Sequence, residues 1–498
     1  MLGGILCESR SYNMTQLFPG FDRLLPMISP VFTELSRGLI VATANAESGS
    51  AVLTGVLLSL IVVYLASKIG GELCARIDLP PVLGELLAGV VIGVSALHLL
   101  VFPSSEFDAS QSLIMQTLQM TAHLSPETLN DVFETQSEVI SVLAEVGVII
   151  LLFEIGLESD LKELLRVGAQ ASIVACVGVA VPFALGTAGL MAIFHVAAIP
   201  AIFAGAALTA TSIGITARVL AELQRLNTKE GQIIIGAAVL DDVLGIIVLA
   251  VVAGLAKTGE VQISNVIYLI VSAAVFLVGS IWLGRLLNPI FVGIVNELKT
   301  RGQLLITALI FAFVLADIAA VIQLEAILGA FAAGLILAET EKRTELEAQV
   351  IPIADMLVPV FFVTVGARTD VSVLNPFEPS NREGLIMAMF LVSVAIVGKV
   401  VTGFTTFGQP QLNRWAIGIG MIPRGEVGLV FASFGATTGV LTDSLQAAII
   451  VMVIFTTFLA PPLLRVVFKN AEPAIDDEAN IIEKAQVIES SLGGDEVS

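Results

Sequence analysis

The chain has 498 residues, of which 56% are hydrophobic and 14% charged, with a formal net charge of −20 and a mean hydropathy of +0.94. So much apolar surface cannot be enclosed in one water-soluble core, and the acidic balance argues against a nucleic-acid partner. Three cysteines (Cys7, Cys74, Cys176) and three histidines (His98, His123, His195) lie far apart, so no disulfide framework or zinc site is readable.

In chain order, residues 1–50 form an N-terminal extension. Its short apolar stretch 38–44 ends at Ala44-Asn45-Ala46, a small-residue sequence of the kind that precedes signal cleavage. A cleaved signal and a peripheral segment both stay open. Apolar runs long enough for a bilayer then predict thirteen membrane spans: 51–77, 80–101, 137–157, 166–193, 197–224, 229–257, 262–284, 299–322, 325–340, 350–366, 384–409, 413–438 and 441–468. Residues 102–136 are an acidic insertion and 470–498 an acidic tail. With the N-terminus outside and the C-terminus cytoplasmic, fifteen basic residues flank the inner ends of the spans and three, Lys257, Arg368 and Arg382, the outer ends. Positive charge concentrates on the cytoplasmic side, which selects this orientation.

Two segment pairs repeat. LPPVLGELLAG (79–89) matches LEAILGAFAAG (324–334) at an offset of 245, and LLFEIGLESD (151–160) matches FFVTVGARTD (361–370) at an offset of 210. The difference of 35 equals the length of the acidic insertion, so a five-helix unit is duplicated, over about 80–257 and 325–468. The insertion reads as an addition to the first copy that can be deleted, over 104–134, without loss of function. Because the two copies start on opposite sides of the membrane they are inverted repeats, an architecture of secondary transporters that bind substrate near the midplane.

Charge placed at mid-depth marks the site. Asp241 and Asp242 stand together in an otherwise apolar run; one such carboxylate costs roughly 2.5–3.5 kcal/mol on insertion scales, and their presence points to ion or proton transport. Lys399 and Arg424 lie at the same depth in their own spans. Consecutive helix positions differ by about 100°, so Asp241 is assigned to the lysine and Asp242 to the transported ion. The stretches LTATSIGIT (208–216) and GIGMIPRGEVG (418–428) are rich in hydroxyls, glycine and proline and predict broken helices whose freed backbone groups face an ion or a buried charge.

Together AAVLDDVLG (237–245), AIVGKVV (395–401), GMIPRGEVGLVFA (420–432), LPPVLGELLAGV (79–90) and the two repeated FEIGLESDL and FFVTVGARTD segments resemble the monovalent cation:proton antiporters of the second cation–proton antiporter family, in their electrogenic paired-aspartate sodium/proton branch. The resemblance spans about 51–469. It implies an all-α membrane protein, a homodimer in the lipid bilayer of a bacterial plasma or thylakoid membrane, with a dimerisation domain and a six-helix core holding two crossed broken helices that moves as an elevator. It implies an ion-coordinating role for Asp242, support from the hydroxyls and backbone of 209–212 with Thr209 and Ser212 as ligands, a proton-linked role for Lys399 paired with Asp241, and structural roles for Arg424 and Glu426. Na+ or Li+ and H+ are then the transported species, with about two protons per sodium and neither cofactor nor enzymatic activity. A potassium/proton antiporter or efflux channel is the alternative, although the tail after Lys469 holds no Gly-rich phosphate loop. An intramembrane aspartyl protease needs aspartates facing one another from separate helices, which neighbours on one helix do not provide. The further acids Glu85, Glu145, Glu154, Asp317 and Asp355 are expected to line an access path or to pair with inward basic residues.

Overall fold

The computed structural model describes residues 46–469 apart from 104–106, 123, 259–262, 372–380, 408–411, 426, 429–430, 433–434 and 436–438. The N-terminal extension, the acidic tail and Glu426 therefore lie outside the described residues. Within them the chain is helical: α1 (Ala46–Arg76), α2 (Pro81–Ile92), α3 (Leu113–Ala122), α4 (Pro126–Glu158), α5 (Leu161–Ile193), α6 (Ala198–Ala207), α7 (Ile213–Glu222), α8 (Lys229–Thr258), α9 (Ile263–Glu297), α10 (Gln303–Val321), α11 (Ala326–Leu337), α12 (Arg343–Ala367), α13 (Asn381–Gly403), α14 (Arg414–Gly420) and α15 (Asp443–Lys469). Nine of these are long and apolar enough to cross a membrane, and they correspond to nine of the thirteen expected spans. The other four, 80–101, 197–224, 325–340 and 413–438, are built around the short helices α2, α6 with α7, α11 and α14. A helix of 12 residues such as α2 or α11 is only about 18 Å long against a hydrocarbon core of about 30 Å. Large apolar side chains face outward along whole helices, as Leu53, Leu57, Ile61, Leu65, Ile69 and Leu73 do on α1. In water such a stripe would be costly; in lipid it is the ordinary surface. The chain is a multi-pass integral membrane protein.

Local sequence sets the helix ends. Pro81 starts α2 with its φ already helical. Ser125 caps α4 by accepting from the Thr128 amide at 3.2 Å, with Pro126 in the first turn. Asp160 caps α5 by accepting from the amides of Lys162 and Glu163 at 2.8 and 3.2 Å.

The acidic insertion differs from the expected loop. It carries α3 and the first three turns of α4, which begins at Pro126 rather than at 137. Its charged residues Glu127, Asp131 and Glu134 are exposed, while Ile114, Met115, Leu118, Leu129, Val132 and Phe133 are buried in one cluster with Ala51, Val94 and Val101. Charge density hid a helix with one apolar face, and that face is part of the core.

Glycine lets helices from the two halves cross backbone to backbone. A Cβ on Gly89 of α2 would strike the Val363 carbonyl and Gly366 of α12, and a Cβ on Gly334 of α11 would strike the Phe153 carbonyl and Gly156 of α4. These two crossings join the residues that the offsets of 245 and 210 relate. The correspondence reaches one helix further: Gly84 abuts the Gly70 carbonyl on α1, Gly329 abuts the Leu315 carbonyl on α10, and Gly70 and Leu315 are again 245 apart.

Packing divides the helices into two groups. The first is α1–α4 with α10–α12; the second is α5, α6 and α8 with α13–α15; α9 lies against both α8 and α11, and α7 sits between the groups, against α4 and α2 on one side and α8 and α15 on the other. Direct contact between the groups includes α15 on α2.

Candidate ion site

The site lies inside the second group, where two interrupted spans cross. Between α6 and α7 the chain leaves helical geometry at residues 208–212, and beyond α14 it does so at 421–425. Pro423 has no N–H to continue a helix, and its carbonyl accepts from the Ser212 amide at 2.9 Å. The Thr216 hydroxyl donates to the Gly420 carbonyl at 2.9 Å, and Thr457 of α15 donates to the Arg424 carbonyl. Backbone groups freed by each break thus find partners on the other break and on α15, as a low-dielectric interior requires.

Arg424 ties the crossing together. Fully buried, its Nη1 donates to the Ala210 carbonyl at 2.8 Å, with longer approaches of 3.4 Å to the Met421 carbonyl and the Thr211 hydroxyl. A single guanidinium nitrogen therefore satisfies carbonyls from both breaks. Its Nε and Nη2 have no hydrogen-bond partner among the described residues.

Asp241 on α8 faces α13, where Lys399 Nζ lies 2.5 Å from Asp241 Oδ2, and both side chains are fully buried. The same carboxylate oxygen accepts from the Thr211 hydroxyl at 2.7 Å, and the charge of Asp241 also acts on Arg424. Asp242, the next residue on the helix, is 3% exposed. The four charges, two negative and two positive, sum to zero. Buried charges persist when they are paired in this way. A Cβ on Gly178 of α5 would sit 3.0 Å from Lys399 Nζ, so a glycine there leaves room for the ammonium group.

The hydroxyls singled out in the sequence divide. Thr209 is buried and donates to the Ala206 carbonyl in the last turn of α6 at 2.8 Å, which leaves its oxygen lone pairs as acceptors. Ser212 is 4% exposed and its hydroxyl has no partner among the described residues; a Cβ on Gly425 would come within 2.7 Å of it. Thr211, which contacts Asp241 directly, lies between the two, inside the supporting stretch 209–212 but not one of the two hydroxyls named as ligands. Nothing in the LTATS string tells one hydroxyl from the next, because a broken helix has no fixed 100° step.

Of the other acids, Glu85 on α2, Glu154 on α4 and Asp355 on α12 act electrostatically on one cation, Arg218 of α7, together with Glu222. Glu145 acts on Arg368, whose guanidinium also donates to Ser141 at 2.5 Å and stacks 4.4 Å from the Phe102 ring centroid.

Residues 51–470 match the family model described as "Sodium/hydrogen exchanger, transmembrane". The chain is 66% identical over 447 residues to the high-affinity Na(+)/H(+) antiporter NhaS3 of Synechocystis sp. (strain ATCC 27184 / PCC 6803 / Kazusa), covering 90% of this chain and 96% of that one. It is 31% identical over 420 residues to the Na(+)/H(+)-K(+) antiporter GerN of Bacillus cereus, covering 83% and 96%. Among solved structures it shares the fold of the sodium proton antiporter MjNhaP1 from Methanocaldococcus jannaschii, with a TM-score of 0.55 at 16% identity over 84% of this chain and 97% of the other. The chain is therefore a member of the transmembrane sodium/hydrogen exchanger family, monovalent cation:proton antiporters rather than enzymes.

Proposed function

We propose that the chain is an electrogenic sodium/proton antiporter working by alternating access. The observation that carries this reading is the Lys399–Asp241–Thr211 arrangement beside Asp242, at the crossing of two broken helices. Asp242 is the site where sodium and a proton exclude one another, with Thr209, Ser212 and freed carbonyls as further oxygen ligands for a small hard cation. Lithium fits the same donors. When sodium neutralises Asp242 and draws the network away from Lys399, the lysine is left as an uncompensated buried charge and gives up its proton. Counting Asp241, Asp242, Lys399 and Arg424, the sodium-loaded site is then neutral. The site with protons on Asp242 and Lys399 carries one positive charge. Two protons exchange for one sodium, and net charge moves.

In this reading α5–α8 with α13–α15 carry the ion past the other helices as an elevator, within inverted repeats and a homodimer, with the C-terminus cytoplasmic. Arg424 is structural, and Glu426 is assigned a structural role on the resemblance alone. The similarity to a relative named for both sodium and potassium keeps potassium as a second substrate to be tested. The test is dequenching of a pH-sensitive dye in everted vesicles on adding sodium, lithium or potassium. Sodium and lithium responses support the reading; a response to potassium alone would replace it with the potassium/proton alternative.

A further inference from the structure

The Lys399 ammonium has a second neighbour besides Asp241. It carries three N–H donors, and among the described residues its one hydrogen bond is to Asp241 Oδ2, although the side chain is fully buried. Beside it lies the backbone of α5. A Cβ on Gly178 would stand 3.0 Å from Lys399 Nζ and 3.5 Å from both Lys399 Cδ and Thr402 Cγ2, so a side chain at 178 has to displace the lysine.

The next turn of α5 keeps α13 at this distance. Pro182 lies four residues after Gly178 inside the helix, and both are buried. A Cβ on Gly398 would come within 2.9 Å of Pro182 Cγ, so the two helices meet glycine against proline ring, one residue before the lysine. Proline has no N–H, and the helical acceptor of residue 182 is the carbonyl of residue 178. Gly178 therefore combines a missing side chain with a carbonyl that has lost its helical donor, and it is the residue of α5 that faces Lys399.

The charges around the ammonium come from other elements. Asp241 and Asp242 on α8 and Arg424 on the second break act on it. The helices packed on α13 are α5, α14 and α15. Of these, α5 has no acid, lysine, arginine or histidine between Arg166 and Ile193, α14 has only Arg414, and α15 has none between Asp443 and Arg465. A change at Gly178 thus alters the surroundings of the lysine without removing a titratable group.

We infer that Gly178 and Pro182 form a backbone seat for the Lys399 ammonium, with Gly178 a positioning residue for transport: its bare α-carbon lets Nζ come up to Asp241, and its freed carbonyl accepts an N–H that Asp241 does not take as the side chain moves. Loss of the seat loosens the hold of Lys399 on its proton. The inference rests on the reading of Lys399 as carrier of the second proton, and it gives neither Gly178 nor Pro182 a contact with the transported ion.

The readout is the apparent KM for sodium across pH, from dye dequenching in everted vesicles with protein amounts matched by immunoblot. Protons compete with sodium, so KM rises as pH falls. In Gly178→Ala that rise is expected at a pH lower by about one unit, a tenfold loss of proton affinity, together with a weaker response to an imposed potential in proteoliposomes. Pro182→Ala, which returns the N–H and engages the Gly178 carbonyl within α5, should move the rise in the same direction. Gly168→Ala, on the same helix with nothing within 4 Å of its Cβ, should keep the wild-type profile. A lower protein amount or maximal rate in Gly178→Ala and Pro182→Ala with an unmoved profile would mean a merely structural role and would overturn the seat, as would an equal shift in Gly168→Ala. Wild-type flux that ignores the potential would overturn the reading of Lys399 and the seat with it.

Discussion

Replacing Thr211 with valine keeps the branched shape and removes one hydroxyl, and the structure says what is lost. That hydroxyl donates at 2.7 Å to the oxygen of Asp241 that also meets Lys399, in a place with no solvent to substitute for it. A hydrogen bond to a charged group contributes about 1.5–3 kcal/mol, so sodium-dependent exchange should fall by roughly 10- to 150-fold. Thr211→Ser retains the donor and should stay near wild type. Dye dequenching in everted vesicles, with protein amounts matched by immunoblot, measures both variants against sodium concentration. Wild-type exchange by Thr211→Val would refute the claim that this hydroxyl holds the carboxylate, and equal loss in Thr211→Ser would show that packing rather than hydrogen bonding is at stake.

Asp242→Asn should abolish sodium-dependent dequenching while the protein inserts and purifies normally, because the amide keeps the shape and removes the charge for which sodium and protons compete. Deleting 104–134 should lower the melting temperature in detergent and reduce the amount of inserted protein, since it removes Ile114, Met115, Leu118, Leu129, Val132 and Phe133 from a buried cluster. Neutralising Glu127, Asp131 and Glu134 together should leave both quantities unchanged. Gly334→Val should prevent α11 from seating on α4, where even a Cβ meets the Phe153 carbonyl, and loss of thermal stability with unaltered ion selectivity in the surviving protein is the expected result.

The parts of the fold that were legible in the sequence are those where lipid dictates composition. Nine long spans, the helix breaks at 208–212 and 421–425 and the burial of Asp241, Asp242, Lys399 and Arg424 all follow from what hydrocarbon tolerates. The Lys399–Asp241 pairing was legible for the same reason: two buried charges of opposite sign at one depth have few ways to be satisfied. What stayed hidden depended on backbone geometry that no period describes. Thr211 could not be told from Thr209 or Ser212, because the chain between α6 and α7 is irregular. The early start of α4 was masked by exposed acids on a helix whose other face is buried. Arg218 read as one of many cytoplasmic cations, and the structure pairs it with Glu222, one turn on in the same short helix, at 3.2 Å.

The central claim is that one site exchanges two protons for one sodium, with Lys399 supplying the second proton. It is tested most directly by sodium uptake into proteoliposomes under an imposed membrane potential, for the wild type and Lys399→Gln. One net charge per cycle couples transport to voltage by about 2.3 kcal/mol per 100 mV. Wild-type uptake should therefore rise steeply when the potential drives that charge and fall when it is reversed, whereas Lys399→Gln should be inactive or indifferent to voltage. Wild-type flux that ignores the potential, or a Lys399→Gln protein that remains fully electrogenic, would contradict the account.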